Sequence, residues 1–566
     1  MPIRATLFLF CLLSFSSPTF AQNKIDPHSE NTYHEAPDDP YIPVERADYA
    51  TSPAYRFSGP QIVTNQVNVN AAGENMLDDA ANEPSIAVDP TNPMRMAIGW
   101  RQFDTVISNF RQAGYAYTLD GGETWTFPGP IEPGVFRSDP VLDFDALGRF
   151  YYNSLQQNFS CQVFRSDGNI FWDGGTPAQG GDKQWMAIDR TAGATAGNIY
   201  ASWNPNFAAC AGAFTRSLDS GDSYESCTIL PGNMTRGTLA VGPSGELYAC
   251  GFNGSNFYVA RASNPGVPGQ NVVWDFVIPM NLGGSLAAYN GPNPSGLLGQ
   301  SWIAVDHSGG PTHGYVYLLA TVFSSATGDL ANIMFSRSTN GGGTWSAPVK
   351  INDDPEPTNW NWFGTLSVAP NGRIDVAWVD TRDQPGTYLS SLYFSHSEDG
   401  GETWSPDEKL SEYFDPHLGF PNQTKIGDYY HMVSDNAGAH LAWAATFNGE
   451  EDIYYSHITV DAMTALENPV ETAATVTLFQ NSPNPFSDFT RIGYETRLDG
   501  EITLEIFDVL GKKVKTLKKG HQPGGRYYQV WDGETDHGTQ ADNGVYVYRL
   551  SVGHQAPVSG KLLKLE

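Results

Sequence analysis

Four copies of one eight-residue motif constrain this chain more than any other feature. They are Thr118-Leu-Asp120-Gly-Gly122-Glu-Thr124-Trp125, Ser217-Leu-Asp219-Ser-Gly221-Asp-Ser223-Tyr224, Ser338-Thr-Asn340-Gly-Gly342-Gly-Thr344-Trp345 and Ser397-Glu-Asp399-Gly-Gly401-Glu-Thr403-Trp404. A short Asp or Asn side chain accepts hydrogen bonds from the amides of its own turn. Gly takes the positive φ that a Cβ resists. The closing aromatic is expected to bury itself against a neighbouring sheet. The motif therefore predicts a tight β-hairpin turn, made four times. Asp120, Trp125, Asp219, Tyr224, Asn340, Trp345, Asp399 and Trp404 are read as structural.

A longer repeat surrounds these turns. Each unit is an alternating strand, a polar turn and a second strand. The pairs are Ser85–Asp89 with Ala97–Trp100, Pro140–Asp145 with Phe150–Tyr152, and Trp185–Asp189 with Ile199–Trp203. Then come Thr238–Val241 with Leu247–Cys250, Trp302–Asp306 with Val316–Ala320, Thr365–Val368 with Ile374–Trp378, and Tyr430–Val433 with Leu441–Trp443. Units recur roughly every 45–65 residues, the span of a four-stranded propeller blade. In each blade the pair forms strands a and b, a third strand c follows, and the motif turns c into d. The seventh unit has no d strand of its own. Residues 61–69 are a spare strand at the other end of the repeat, so the ring is expected to close by placing that strand in the last blade, which removes an exposed sheet edge.

These motifs resemble the Asp-box, or BNR repeat, of sialidase-like β-propellers, over residues 60–460. The expected fold is all-β: a seven-bladed (alternatively six-bladed) propeller, then a small β-sandwich. The second part rests on Thr477-Leu-Phe-Gln-Asn-Ser-Pro-Asn-Pro-Phe486, Leu504-Glu-Ile-Phe-Asp508, Trp531-Asp-Gly533 and Asn543–Leu550. That set resembles the C-terminal sorting domain of the type IX secretion system. It implies an immunoglobulin-like fold over 477–566, secretion or cell-surface attachment, and the secretion machinery as partner. Residues 461–476 read as a linker and 22–59 as an N-terminal extension. Residues 1–21 read as a signal peptide: Arg4, an apolar run from Leu7 to Phe15, and Thr19-Phe20-Ala21 before the cleavage site.

Charge and cysteines narrow the partners. Net charge is −30. Residues 476–566 hold 11 basic and 11 acidic residues, and the rest of the chain 21 and 51. Such a surface repels nucleic acid and anionic membranes, and a monomer is expected. Four cysteines follow the signal, clustered as an oxidising compartment allows. Cys210 and Cys227 flank the second turn motif and are the favoured pair.

If the motifs mark one end of the ring, ligands are expected at the other, among residues just before strand a and just after strand b. Those before strand a are Glu83, Asp139, Asp182, Arg236, Gln300, Trp362, Asp428 and Tyr429; those after strand b include Arg101 and Arg382. The sialidase resemblance implies roles. Arg101, Arg236 and Arg382 would hold a substrate carboxylate, since guanidinium groups match it bidentately. Tyr429 or Tyr430 with Glu83 would be the nucleophile pair, and Asp139 or Asp182 the acid. Gln300, Trp362 and Asp428 would line the substrate. The bland alternative is that the arginines pair with nearby aspartates and stitch blades together. No cofactor is required on this reading and no metal set is read; Asp182, Asp380 and Asp383 are the candidates if calcium binds. The chain shows no Gly-x-Ser-x-Gly elbow, Walker loop or HExxH. Three functions follow: a glycoside hydrolase on acidic sugars, a non-catalytic carbohydrate-binding propeller, or a polysaccharide lyase.

Overall fold

The computed structural model describes residues 38–460 except 168–170, 325–328 and 355–357, and residues 476–565 except 479–480, 482–483, 488, 497–499, 509–511, 524 and 553–556. The expected signal peptide and nearly all of the expected linker lie outside these residues. The chain divides into two compact units, Met1–Ala462 and Met463–Glu566. Among the described residues no helix is long and apolar enough to cross a membrane.

The first unit is built from antiparallel sheets, seven of which follow one another as blades. Their innermost strands are Ala80–Val88, Ser138–Phe144, Trp185–Ile188, Leu239–Val241, Trp302–Val305, Asn361–Val368 and His431–Ser434. Each packs beside the next, and the seventh returns to the first, which closes the ring. Side chains on these strands tie blade to blade. The Leu142 amide donates to Ser85 Oγ at 2.8 Å, Ile188 N to Asp143 Oδ2 at 2.8 Å and Ile303 N to Thr238 Oγ1 at 2.9 Å. Ser434 N donates to Ser367 Oγ at 2.9 Å, and Ile86 N to His431 Nδ1 at 3.3 Å. Small polar residues thus satisfy inner-strand amides that a wholly apolar axis would leave bare.

The ring closes as expected. Ile62–Gln66 pairs antiparallel with Asp452–Thr459, Ile62 opposite Ile458 and Gln66 opposite Tyr454. Arg56–Ser58 extends that sheet by another strand, so the last blade begins before residue 60. In blades one and three the outer strand is reduced to single bridges, Tyr117 to Thr126 and Phe214 to Thr228.

All four turn motifs sit at the end of strand c and share one bonding pattern. In the first, Thr118 Oγ1 donates to Asp120 Oδ1 at 2.6 Å, and Asp120 accepts the Thr124 amide at 3.0 Å. Ser217–Asp219, Ser338–Asn340 and Ser397–Asp399 repeat it at 2.7, 2.9 and 2.8 Å. Each turn presses on the preceding blade. An added Cβ at Gly122 would meet the Tyr455 ring, one at Gly342 the Phe276 ring, and one at Gly401 the Phe335 ring. Trp125 packs beside Tyr455 with ring centres 5.3 Å apart, and Trp404 meets Phe335 edge-on at 5.0 Å. Cys210 and Cys227 form a disulfide, while Cys161 and Cys250 are buried free thiols.

The second unit is a sandwich of two antiparallel sheets. One holds Val476–Leu478, Thr490–Thr496 and Gly525–Trp531. The other holds Gly500–Asp508, Lys513–Gln522, Gly544–Val552 and Val558–Lys564. Alternate residues Ile502, Leu504 and Ile506 face a core with Ile492, Tyr494, Trp531 and Tyr548.

Candidate functional sites at the two ends of the propeller axis

One residue within or just before each inner strand falls at a shared register: Glu83, Asp139, Lys183, Arg236, Gln300, Phe363 and Tyr429. Five of them have left-handed backbone, with φ of 52° at Glu83, 47° at Asp139, 54° at Lys183, 55° at Arg236 and 55° at Phe363. Non-glycine residues rarely take this conformation, and it persists only where surrounding structure holds it.

At this end lies a buried charge cluster drawn from four blades. Arg101 Nε is 3.2 Å from Glu83 Oε2 and donates to Asn82 Oδ1 at 2.8 Å. Lys183 Nζ reaches Asp139 at 3.1 Å, Asp182 at 3.4 Å and Asp428 at 2.9 Å. Lys425 Nζ reaches Asp428 at 2.6 Å and Glu83 at 3.4 Å. Glu83, Arg101, Asp139, Lys425 and Asp428 are all buried. Two segments meet over them: Asn293 Nδ2 donates to Gly427 O at 2.7 Å, and the Leu297 amide to Asp428 Oδ1 at 2.7 Å.

Protonation splits within the cluster. Burial pushes the Glu83 carboxyl up to about 8, against the pull of Arg101, Lys183 and Lys425. Burial also opposes ionisation of Asp139, but there Lys183, Arg101 and Lys425 outweigh it and hold the carboxyl well below its ordinary value. Asp428 is lowered likewise, burial being overcome chiefly by Lys183 and Lys425.

The structure brings together Glu83, Arg101, Asp139, Asp182, Asp428 and Tyr429. Several implied roles are not assembled. The Tyr429 hydroxyl donates to the Pro140 carbonyl at 2.8 Å rather than to Glu83, and burial, with Glu83 and Asp139 nearby, pushes it well above the ordinary tyrosine range. Arg382 does not join Arg101. It is held by Asp380 at 2.6 Å, Asp353 at 2.6 Å and Asp407 at 2.7 Å, with its guanidinium over the Tyr393 ring. The arginine triad is therefore incomplete, and Arg382 stitches blade six to the segment leaving blade five. Trp362 is a core residue rather than a lining one: it is fully buried, against Phe363, and donates to Ser390 Oγ at 3.1 Å. Arg236 is half-buried, and its backbone carbonyl accepts the Ser301 amide at 3.0 Å. Gln300 is buried, with neither side-chain amide atom hydrogen-bonded. The candidate calcium ligands are spent separately: Asp380 on Arg382, Asp383 on Lys409 at 2.6 Å, and Asp182 on Lys183. Among the described residues no group of three or more His, Cys, Asp or Glu is arranged to hold a metal.

The other end of the axis, where the four turn motifs lie, holds a cavity of about 580 Å³. Its walls are inner strands, including Ala187, Ala240, Ala304, Ser367 and Val433, whose small side chains leave the space. Trp185, Trp302 and His431 also line it, one from each of blades three, five and seven, at the same register. Trp185 meets Trp302 edge-on at 4.9 Å and His431 at 5.2 Å. The rim carboxylates are paired: Asp89 with Arg95 at 2.7 Å, Asp143 with Arg190 at 2.5 Å, and Asp435 with His440 at 3.2 Å.

Sequence reasoning missed Lys425, which opens no strand, and the Trp185–Trp302–His431 group. Aligning the seven inner strands on the register of Glu83 would have exposed the latter, because each of the three lies two residues beyond it, after Lys183, Gln300 and Tyr429.

Known proteins give a partial match. A family model, the FlgD Ig-like domain, matches residues 492–555. The C-terminal unit is immunoglobulin-like. No curated protein sequence matches the chain. Similar solved structures include a protein of unknown function from Dyadobacter fermentans, 13% identical, covering 71% of this chain and 100% of its own, with a TM-score of 0.41. The phage phi92 endosialidase is 10% identical, with coverages of 80% and 74% and a TM-score of 0.40. The Aleuria aurantia lectin AAL, in complex with a fucosyl disaccharide, is 13% identical, with coverages of 58% and 95% and a TM-score of 0.32.

Proposed function

We propose that this chain is an exported, glycan-recognising propeller whose C-terminal unit is the address that carries it to or past the cell surface. The observation that carries the reading is the axial cavity with Trp185 and Trp302 in its wall. Its volume, about 580 Å³, falls in the range of small-ligand sites, roughly 300–1,000 Å³. Sugar rings present apolar C–H faces edged with hydroxyls, and aliphatic walls with indole N–H groups suit both. Recognition is favoured over turnover because Asp89 and Asp143 on the rim are consumed in ion pairs with arginines and Asp435 is held by His440, so among the described residues no pair of free carboxyl groups flanks the cavity.

A second reading, hydrolysis at the charged end, is favoured by one observation. Glu83 keeps its proton near neutrality while neighbouring Asp139 is ionised, the division of labour an acid and a base need. It requires the segments meeting at Asn293 and Gly427 to part. Incubating the full chain with a panel of neutral and acidic glycans separates the readings. Binding without new reducing ends supports recognition. New reducing ends that vanish in Glu83→Gln support hydrolysis, and unsaturated products indicate a lyase.

A further inference from the structure

We infer that the axial cavity takes a neutral terminal pyranose, gripped by three ring N–H donors: Trp185 Nε1, Trp302 Nε1 and His431 Nε2. This deepens the reading of the chain as a glycan-recognising propeller and rests on it.

The histidine tautomer is settled by its neighbours. His431 Nδ1 lies 2.8 Å from Ser85 Oγ and 3.3 Å from the Ile86 amide. An amide can only donate, so Nδ1 accepts and the proton sits on Nε2. Burial holds the ring neutral, pushing its pKa down to about 3. Nε2–H and the two indole N–H groups have no acceptor within the protein among the described residues, and all three rings line the cavity. Three donors without acceptors, on rings that line one cavity, call for a ligand rich in lone pairs, as hydroxyl and ring oxygens are. The walls around them are aliphatic: Leu142, Ala187, Ala240, Ile303, Ala304 and Val433.

Charge decides which sugars. Asp89 and Asp143 are each paired with an arginine, so an ammonium sugar finds no free counterion in them. A carboxylated sugar fares worse: it would enter past Asp89, Asp143 and Asp435 into a unit carrying most of the chain's −30 charge, and Arg190 is already engaged by Asp143 at 2.5 Å. An uncharged ring loses least on desolvation and gains both the aliphatic contact and the donors. The cavity thus selects by neutrality, which the charged end of the same axis would not do.

The test is calorimetric titration of the full chain with methyl glycosides of neutral hexoses and deoxyhexoses, and in parallel with glucuronate and N-acetylneuraminate. Neutral glycosides are expected to bind and the acids not. Ala304→Phe, which fills the cavity, should weaken neutral binding at least tenfold. Trp302→Phe keeps an aromatic face but removes the pyrrole half of the indole with its N–H donor, and should weaken it at least about fivefold. Thermal melting of both variants checks folding, and Trp302→Phe serves if the larger side chain misfolds. Neutral binding unchanged in both variants would place the sugar elsewhere and overturn the inference while leaving glycan recognition intact. Tighter binding of the acids would overturn the selectivity. Binding of neither class would overturn this inference and the reading beneath it together.

Discussion

Ser220 holds left-handed backbone at φ 58°, where the other three turn motifs carry Gly121, Gly341 and Gly400. A Cβ there is strained, and Gly relieves the strain at some cost in chain entropy. Ser220→Gly should therefore stabilise the propeller by about 0.5 kcal/mol in urea unfolding. Glu83 makes a prediction about pH. Its folded pKa, about 8, lies above its ordinary 4.5, so the native chain keeps a proton that the unfolded chain releases. That stabilisation is complete below about pH 4.5 and is lost as pH rises through 8. Asp380, raised by burial to about 6, and Asp452, raised by burial to about 7, act in the same direction. Asp139 and Asp428, lowered by their lysines, stabilise above the ordinary aspartate value of 3.8 and lose that contribution as pH falls. His431, held by burial near 3 against an ordinary 6.5, works the other way and loses stability as pH falls below 6.5. Above pH 6.5 that opposition is spent, and melting temperature should decline toward pH 8. Glu83→Gln mimics the protonated form and should flatten the decline by up to about 1.4 kcal/mol per pH unit. A wild-type curve rising from pH 6.5 to pH 8 would contradict this.

At the scale of elements, the aromatics that close the turn motifs differ in weight. Trp125 is 7% exposed, whereas Trp345 and Trp404 are half-buried at the blade margin. Trp125→Ala should cost about 3–5 kcal/mol, and the same change at Trp345 or Trp404 about 1–2, because less contact is lost. Chemical denaturation of the three variants checks the order. The turns themselves were legible in the sequence because their bonds are local: Thr118, Asp120 and Thr124 satisfy one another within seven residues. The closing strand was legible because a blade lacking its fourth strand matched a strand lacking a blade. Arg382 was misplaced for the opposite reason. Its register suggested an axial role, but Asp353 and Asp407, distant in sequence, capture it, and nothing local signals that. Tyr429 was correctly set near Glu83, yet its hydroxyl goes to a main-chain carbonyl, an acceptor no side-chain pattern reveals. Periodicity shows which residues share a ring, and it leaves open which way each side chain turns for its partner.

For the whole molecule, closure of the ring is the main structural commitment. Removing residues 38–66 would strip Asp452–Thr459 of its partner and expose a sheet edge. The truncated chain should aggregate or unfold without a cooperative transition, which calorimetry would register. Removing residues 477–566 is a different operation, because the second unit has its own core. The propeller should keep its melting temperature while export past the outer surface stops; unchanged delivery in cell fractionation would refute the addressing role. The axis joins these scales, since each blade contributes one strand to it. The central claim, that a glycan is recognised at the end of that axis where the four turn motifs lie, is tested most directly by NMR of chain labelled with ¹⁵N at the tryptophan indoles. Of 14 tryptophans, the account predicts that added neutral methyl pyranoside shifts the Trp185 and Trp302 indole N–H signals and leaves the Trp362 signal in place. Saturable binding with the Trp185 and Trp302 signals unmoved would contradict it.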